Sequence, residues 1–346
     1  MVRVLAKRAF VLVLASAWGC KPAEEGRPSL LDSPRILAIQ ATPAEVAPEK
    51  PTTLQILRAG PSGPLDASDV SLGFCVKRKA IAAPGVVAEA CLTLKPSDAL
   101  VPILGAEPIS AAIPKDACSL FGPKPNAGSN NETLRPADPD TTGGYYQPIM
   151  ASDAAQVSLF STRISCGIIG TSQETSIAYT RHYLANENPT IQQLLLGRSD
   201  GTVETLSPDA PAPIQPGETV AFAVTWNKCP VDQQECGDGV CGLGETAANC
   251  ADDCTKLASC SGAETYLLLD PLTLQLRFQR ENIRVSWFVT GGTLTLDKSG
   301  RSSSELTYDA QNHFRAPTET GDYWLFAVIR DDRGGVGWIA QPLRVE

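Results

Sequence analysis

"FRAPTETGDYWLFAVIRDDRGGVGW", residues 314–338, is the stretch on which the fold turns. Tyr323 to Arg330 is an apolar, aromatic-rich run of strand length, and Asp331-Asp332-Arg333-Gly334-Gly335 interrupts it with turn chemistry. Val336 to Ala340 resumes the apolar pattern, and Leu343 to Val345 forms a last short run beyond Pro342. Upstream, Ile283 to Thr290 has the same character. Short strands punctuated by turns read as an antiparallel sandwich. In the turn, Gly334 and Gly335 are expected to supply the positive φ angles of a tight hairpin. The adjacent acids Asp331 and Asp332 point to opposite faces, so a structural turn is favoured over a shared acid/base pair, with a calcium-binding turn as the alternative.

Working outward, Arg35 to Thr42 is a short extended run, Pro43 to Pro51 a turn, Thr52 to Arg58 an alternating strand, and Val70 to Val76 another. Pro34-Arg35-Ile36, followed by Ala47-Pro48-Glu49-Lys50-Pro51 and Leu54, is echoed by Pro189-Thr190-Ile191 and Gln215-Pro216-Gly217-Glu218-Thr219-Val220. This approximate repeat predicts two β-domains, 34–186 and 187–346. In the first, the Pro-, Gly- and Asn-rich stretch from Lys115 to Gly144 is bracketed by Cys91, Cys118 and Cys166. Loops of that length are functional or unstructured, and covalent bracketing points to an ordered one, either a recognition surface or a solvated insertion.

"SWFVTGG", residues 286–292, together with the opening stretch, resembles the last half of bacterial Ig-like and PKD-like modules, whose final two strands carry an "aP…G.Y…V.D..GG" pattern. The resemblance implies an all-β fold of two Ig-like sandwiches, with Trp287 in the second core and Tyr323 forming a tyrosine corner. Trp226, Trp287, Trp324 and Trp338 fall on expected strands, where core packing is the default. If Trp324 and Trp338 both face outward, they form an aromatic platform for protein or carbohydrate.

The N-terminus sets the compartment. Arg3, Lys7 and Arg8 precede the small or apolar run Ala9 to Ala17, which suits a secretory signal over residues 1–19. Ala15-Ser16-Ala17 fits ordinary signal peptidase, whereas Ala17-Trp18-Gly19-Cys20 resembles a bacterial lipobox, whose cysteine becomes the lipidated, palmitate-bearing first residue. Eleven cysteines leave an odd one in an exported protein, and assigning Cys20 to lipid leaves Cys75, Cys91, Cys118, Cys166, Cys229, Cys236, Cys241, Cys250, Cys254 and Cys260 for disulfides. Residues 20–33 then read as a Pro-rich tether. Removing Arg3, Lys7 and Arg8 with the signal, and no acid, moves the net charge from -9 to -12. An acidic surface excludes nucleic acid and anionic lipid surfaces as default partners.

"ECGDGVCGLGETAANCADDC", residues 235–254, is too polar for a buried helix or strand. The six cysteines from Cys229 to Cys260 are separated by six, four, eight, three and five intervening residues, with no paired C-x-x-C knuckle. In an oxidising compartment they are expected to pair among themselves as a stapled insert, 229–260, within the second domain. The stretch is similar to short "CGDGVC…GE…C…DC" repeats of myxobacterial surface proteins and, more distantly, to Notch-type modules that bind Ca²⁺. That resemblance implies Asp238, Glu245, Asp252 and Asp253 as metal ligands, although the Asp-Gly-Gly-Asp ending of the Notch type is absent.

Catalytic patterns are missing. There is no Gly-x-Ser-x-Gly, no His-Glu-x-x-His and no phosphate-cradling loop, and His182 and His313 lack sequence partners for general-base work. The whole reads as a non-enzymatic lipoprotein of the outer membrane or cell surface that binds an envelope protein or glycan. A passive structural spacer or envelope-assembly component is the alternative role, an enzyme of unfamiliar type the third, and a secreted or periplasmic protein the alternative location.

Overall fold

Leu325 to Ile329 are five consecutive apolar residues, and all five are buried. A strand buries sequence neighbours together only when its sheet is covered on both faces. That double covering organises the fold, which the computed structural model describes for residues 27–80, 83–93, 97–123, 142–153, 156–255, 259–270 and 272–346.

The first half contains β1 (Arg35–Thr42), β2 (Glu45–Val46), β3 (Pro51–Gly60), β4 (Gly63–Leu65), β5 (Ser71–Cys75), β6 (Leu100–Ile103), β7 (Ile109–Ala112), β8 (Gly144–Ser152) and β9 (Val157–Ser165), with α1 (Ala117–Phe121) ahead of β8. A first sheet runs β2-β9-β8-β5-β6, and a second joins β1, β4 and β7 to β3. Leu54 and Ile56 from β3 pack with Phe74, Ile149 and Ile164 from the facing sheet. A single helix, α2 (Gln173–His182), leads into the second half, its first turn capped by the Ser172 hydroxyl accepting from Thr175 N–H at 3.1 Å.

The second half contains β10 (Ile191–Gly197), β11 (Val203–Thr205), β12 (Ala212–Ile214), β13 (Thr219–Trp226), β14 (Thr265–Leu269), β15 (Leu276–Arg280), β16 (Ile283–Val289), β17 (Thr293–Leu294), β18 (Lys298–Arg301), β19 (Asp309–Arg315), β20 (Gly321–Arg330) and β21 (Val336–Val345). The third sheet is β12-β21-β20-β16-β18 and the fourth β11-β10-β13-β19-β17. Between them Trp287 is fully buried, its indole N–H donating to Ser299 Oγ at 2.8 Å. Each half winds alike, a short strand (β2 or β12) lying parallel to the last strand (β9 or β21). The chain is therefore two antiparallel Ig-type sandwiches.

The second and third sheets also pack on each other. Leu37 and Ala38 of β1 and Leu57 and Ala59 of β3 form one buried cluster with Phe326 and Val328 of β20 and Val336 of β21. Four sheets are thus stacked with three apolar layers between them. Trp324 and Trp338 join the middle layer, Trp324 stacking on Phe326 at 6.2 Å, so the outward platform does not form. Gly63, at φ +112°, leaves the space that Trp324 fills, since a Cβ there would lie 2.4 Å from the indole nitrogen.

Three local expectations are corrected. Val336 to Val345 is one strand rather than two, because β12 begins pairing only at Leu343, so Pro342 interrupts no ladder on that side. In the turn only Gly334 has positive φ, at +100°. Gly335 answers to close approach instead, a Cβ there meeting Asp331 Oδ2 at 2.0 Å. The end of the presumed tether is docked: Leu31 is fully buried, its N–H donates to Val289 O at 2.8 Å, and Val289 N–H donates to Ser29 O. Residues 20–26 of the tether, Cys20 among them, and the signal lie outside the described residues, as do residues 124–141 of the 115–144 excursion. Among the described residues no helix is long and apolar enough to cross a membrane.

Candidate functional site at the domain junction

The connection between β13 and β16 is the Cys-rich insert followed by the β14–β15 hairpin. Cys229 is bonded to Cys260, Cys236 to Cys250 and Cys241 to Cys254, and in the first sandwich Cys75 to Cys91 and Cys118 to Cys166. Among the described residues of the insert there is one helical turn, α3 (Ala251–Cys254). Too little apolar side chain is available to order this loop, so cross-links and carboxylate contacts do so.

Three of the four acids expected to hold a metal accept local backbone hydrogen bonds. Asp253, buried, accepts from Gly237 N–H at 2.6 Å and Gly239 N–H at 3.1 Å. Glu245 accepts from Gly242 N–H at 2.7 Å, and Asp238 from Gln233 and Val240 N–H. Asp252 is exposed. Among the described residues two groups have ligand-like proximity, Cys236–Cys250 with Asp253 and Cys241–Cys254 with Glu245. Each offers one carboxylate beside a disulfide, whereas Ca²⁺ takes six to eight oxygens. The four acids are not gathered into one set.

Beneath the insert lies a buried charge network that connects all parts of the molecule. The 331–335 turn inserts Arg333, whose guanidinium donates to Glu281 at 2.6 Å, to Glu264 and to Leu184 O at 3.1 Å, and stacks on Tyr266 at 4.9 Å. Asp331 accepts from Arg333 and Gly335 N–H at 2.9 and 2.8 Å and from the Asn186 amide at 3.3 Å. Asn186 N–H in turn donates to Glu45 at 2.9 Å, and Glu45 pairs with Arg163 at 3.0 Å and accepts from Ser165 and Tyr183. Glu264 also accepts from Cys260 and Glu187 N–H, fastening the insert's closing disulfide to the interdomain linker.

The two carboxylate environments differ. Burial raises Glu264 to about 7, and it raises Glu281 and Asp331 too, because the single Arg333 guanidinium offsets only part of the desolvation of three acids. Burial would also raise Glu45, but Arg163, Tyr183, Asn186 N–H and Ser165 together hold it below the usual carboxylate range. His182 closes the network's outer side. Burial lowers it, it bonds the Cys241 carbonyl at 3.0 Å and it packs edge-on against Phe278. A cavity of 30 Å³ between His182, Asp253 and Glu264 has room for a water molecule or two.

Chemically, this is a sealed ion cluster. Perturbed carboxylates are a signature of active sites, but a catalytic group needs substrate within hydrogen-bond reach, and the Glu264, Glu281 and Arg333 side chains are at most 4% exposed. His313 stands exposed on β19. The sequence singled out Asp331 and Arg333 as parts of a turn and His182 as an isolated residue, without assigning any of them to a network. It gave no notice of Glu45, Arg163, Glu264 and Glu281, whose only local signal is a charge beside buried strands.

No protein-family model matches the chain, and no curated protein matches it. Among solved structures it is similar to native Escherichia coli alpha-2-macroglobulin, at 10% identity and a TM-score of 0.19 over 90% of this chain and 17% of that one. It is also similar to the C-terminal domain of the Streptococcus agalactiae antigen I/II polypeptide BspA, at 7% identity and TM-score 0.22 over 90% and 99% of the two chains. The C-terminal domain of the Streptococcus pyogenes antigen I/II-family protein AspA gives 7% identity and TM-score 0.20 over 92% and 98%. Scores this low say nothing of what the chain binds.

Proposed function

We propose that this chain is a non-catalytic interaction protein of the bacterial envelope, held at the outer membrane by lipid on Cys20 and presenting its second sandwich and stapled insert to an envelope protein or glycan. The observation that carries the reading is the placement of Arg333. The perturbed acids surround it inside the junction of both sandwiches and the insert, so they serve a fixed geometry rather than open to a substrate. A rigid body with a covalently stapled head suits recognition, because little ordering entropy remains to be lost on binding.

The test uses the mature chain carrying Cys20→Ala as bait in envelope extract. A partner retained by this chain and lost when Leu272 and Leu274, exposed at the tip of the β14–β15 hairpin, are changed to Asp supports the reading. Turnover of any ester, peptide or glycoside substrate that disappears in Glu264→Gln overturns it. The anchor is tested separately by intact mass of the native protein: an acylated N-terminal Cys20 supports it, and an unacylated terminus at Trp18 refutes it. Calcium in the insert is a further proposal, decided by calorimetry at millimolar Ca²⁺, where absence of both heat and a melting shift disposes of it.

A further inference from the structure

On the third sheet Arg284 of β16 sits directly opposite Arg330 of β20. Cross-strand partners share a face about 4.5–5.5 Å apart, and like charges so placed are destabilising. Lys298, on the edge strand β18, stands opposite Ser286 and so lies on that same face, diagonal to Arg284. The position opposite Arg284 on β18 is Gly300, where a Cβ would meet the Ile283 carbonyl at 2.1 Å, so no side chain fills the space between the cations.

None of the three has a carboxylate at ion-pair distance among the described residues. Arg330 is largely buried, with one hydrogen bond to the Leu37 carbonyl across the domain seam at 2.8 Å, and burial pushes it below its usual range. These cations line an open cleft of 500 Å³ in a chain of net charge -9. Two acids also line this cleft, Asp331, buried and held in the Arg333 network, and Asp332, exposed and hydrogen-bonded to Asn282, and against them stand Arg284, Lys298, Arg330 and Arg301, the last paired with Asp309.

We propose that this cleft binds a phosphate or sulfate group carried on a molecule of about sugar size, with the Arg284 and Arg330 guanidinium groups gripping the oxyanion and Lys298 beside them. The planar forks of two arginines match tetrahedral oxyanions, and the volume lies in the range of small-molecule sites, roughly 300–1,000 Å³. The proposal stands or falls independently of the envelope partner named above.

Melting and calorimetry of the Cys20→Ala chain in inorganic phosphate, against chloride at matched ionic strength, test it. Phosphate is expected to raise the melting midpoint, and Arg284→Gln, an exposed change that leaves the core alone, to bind phosphate roughly tenfold more weakly. Arg330→Lys, which keeps the charge but loses the fork, should weaken binding as well. Equal melting in the two salts, or undiminished phosphate binding by Arg284→Gln, overturns the proposal. A hexose phosphate and phosphatidic acid vesicles then separate the sources: co-sedimentation assigns a lipid headgroup, and binding of the hexose phosphate alone assigns a soluble ligand.

Discussion

Arg333 and Glu281 lie 2.6 Å apart with side chains 2% and 0% exposed, and they join a hairpin turn of the second sandwich to the short connection between β15 and β16. Desolvating both ions is costly, and the cost is offset only while each keeps its partner. The junction is accordingly where single substitutions and pH act most strongly.

Arg333→Met should destabilise the chain by about 3–5 kcal/mol, since it leaves Glu264, Glu281 and Asp331 buried without a counter-charge. Chemical denaturation measures this. A loss no larger than that of Asp332→Asn would show the guanidinium to be dispensable.

Glu264 titrates near 7 in the folded chain against an ordinary 4.5, with Glu281 raised in the same direction. The folded state therefore holds more protons than the unfolded one, so the contribution of this pair is present at pH 4.5 and below and is lost as pH rises through 7. His182, whose folded value is lowered, works in the opposite sense. The measurable quantity is thus the midpoint of the wild type minus that of Glu264→Gln, which should fall between pH 5 and about 8. A difference that stays flat or rises would count against the assignment.

Gly63→Val introduces a side chain into the Trp324 ring at a positive φ, and should cost roughly 2–5 kcal/mol while shifting tryptophan emission. Ser62→Ala, on the exposed side of the same turn, should leave both unchanged. Normal emission and melting in Gly63→Val would mean that the seam yields easily.

Trp287→Ala removes a fully buried indole from the second core and should cost about 3–5 kcal/mol. An unchanged denaturation midpoint would contradict its place between the third and fourth sheets.

The Cys229→Ser/Cys260→Ser pair opens the outermost closure of the insert, and about 2–4 kcal/mol of stability should go with it. Non-reducing peptide mapping of the native chain should recover Cys229 with Cys260, Cys236 with Cys250 and Cys241 with Cys254. A bond from any of these to Cys75, Cys91, Cys118 or Cys166 would refute the pairing.

What the sequence by itself determined is the all-β class, the strand from Tyr323 to Arg330 and the turn that follows it. Those follow from strand-length apolar runs and turn chemistry, which act over a few neighbouring residues, whereas the place of Trp287 in the core came from the resemblance to Ig-like modules. Tertiary structure alone decided which face of β20 meets which partner. Leu325, Ala327 and Ile329 enter one core and Phe326 and Val328 another, and a continuous apolar run carries no sign of which. The same holds for the candidate site. Glu45, Asn186, Glu264, Glu281 and Arg333 come from separate segments of the chain, and each reads locally as an ordinary polar residue. Their charges become a network only when two sandwiches and a stapled loop exclude water from the same point, because the energy of a charge is set by its solvent and its partner, neither of which is written beside it in the chain.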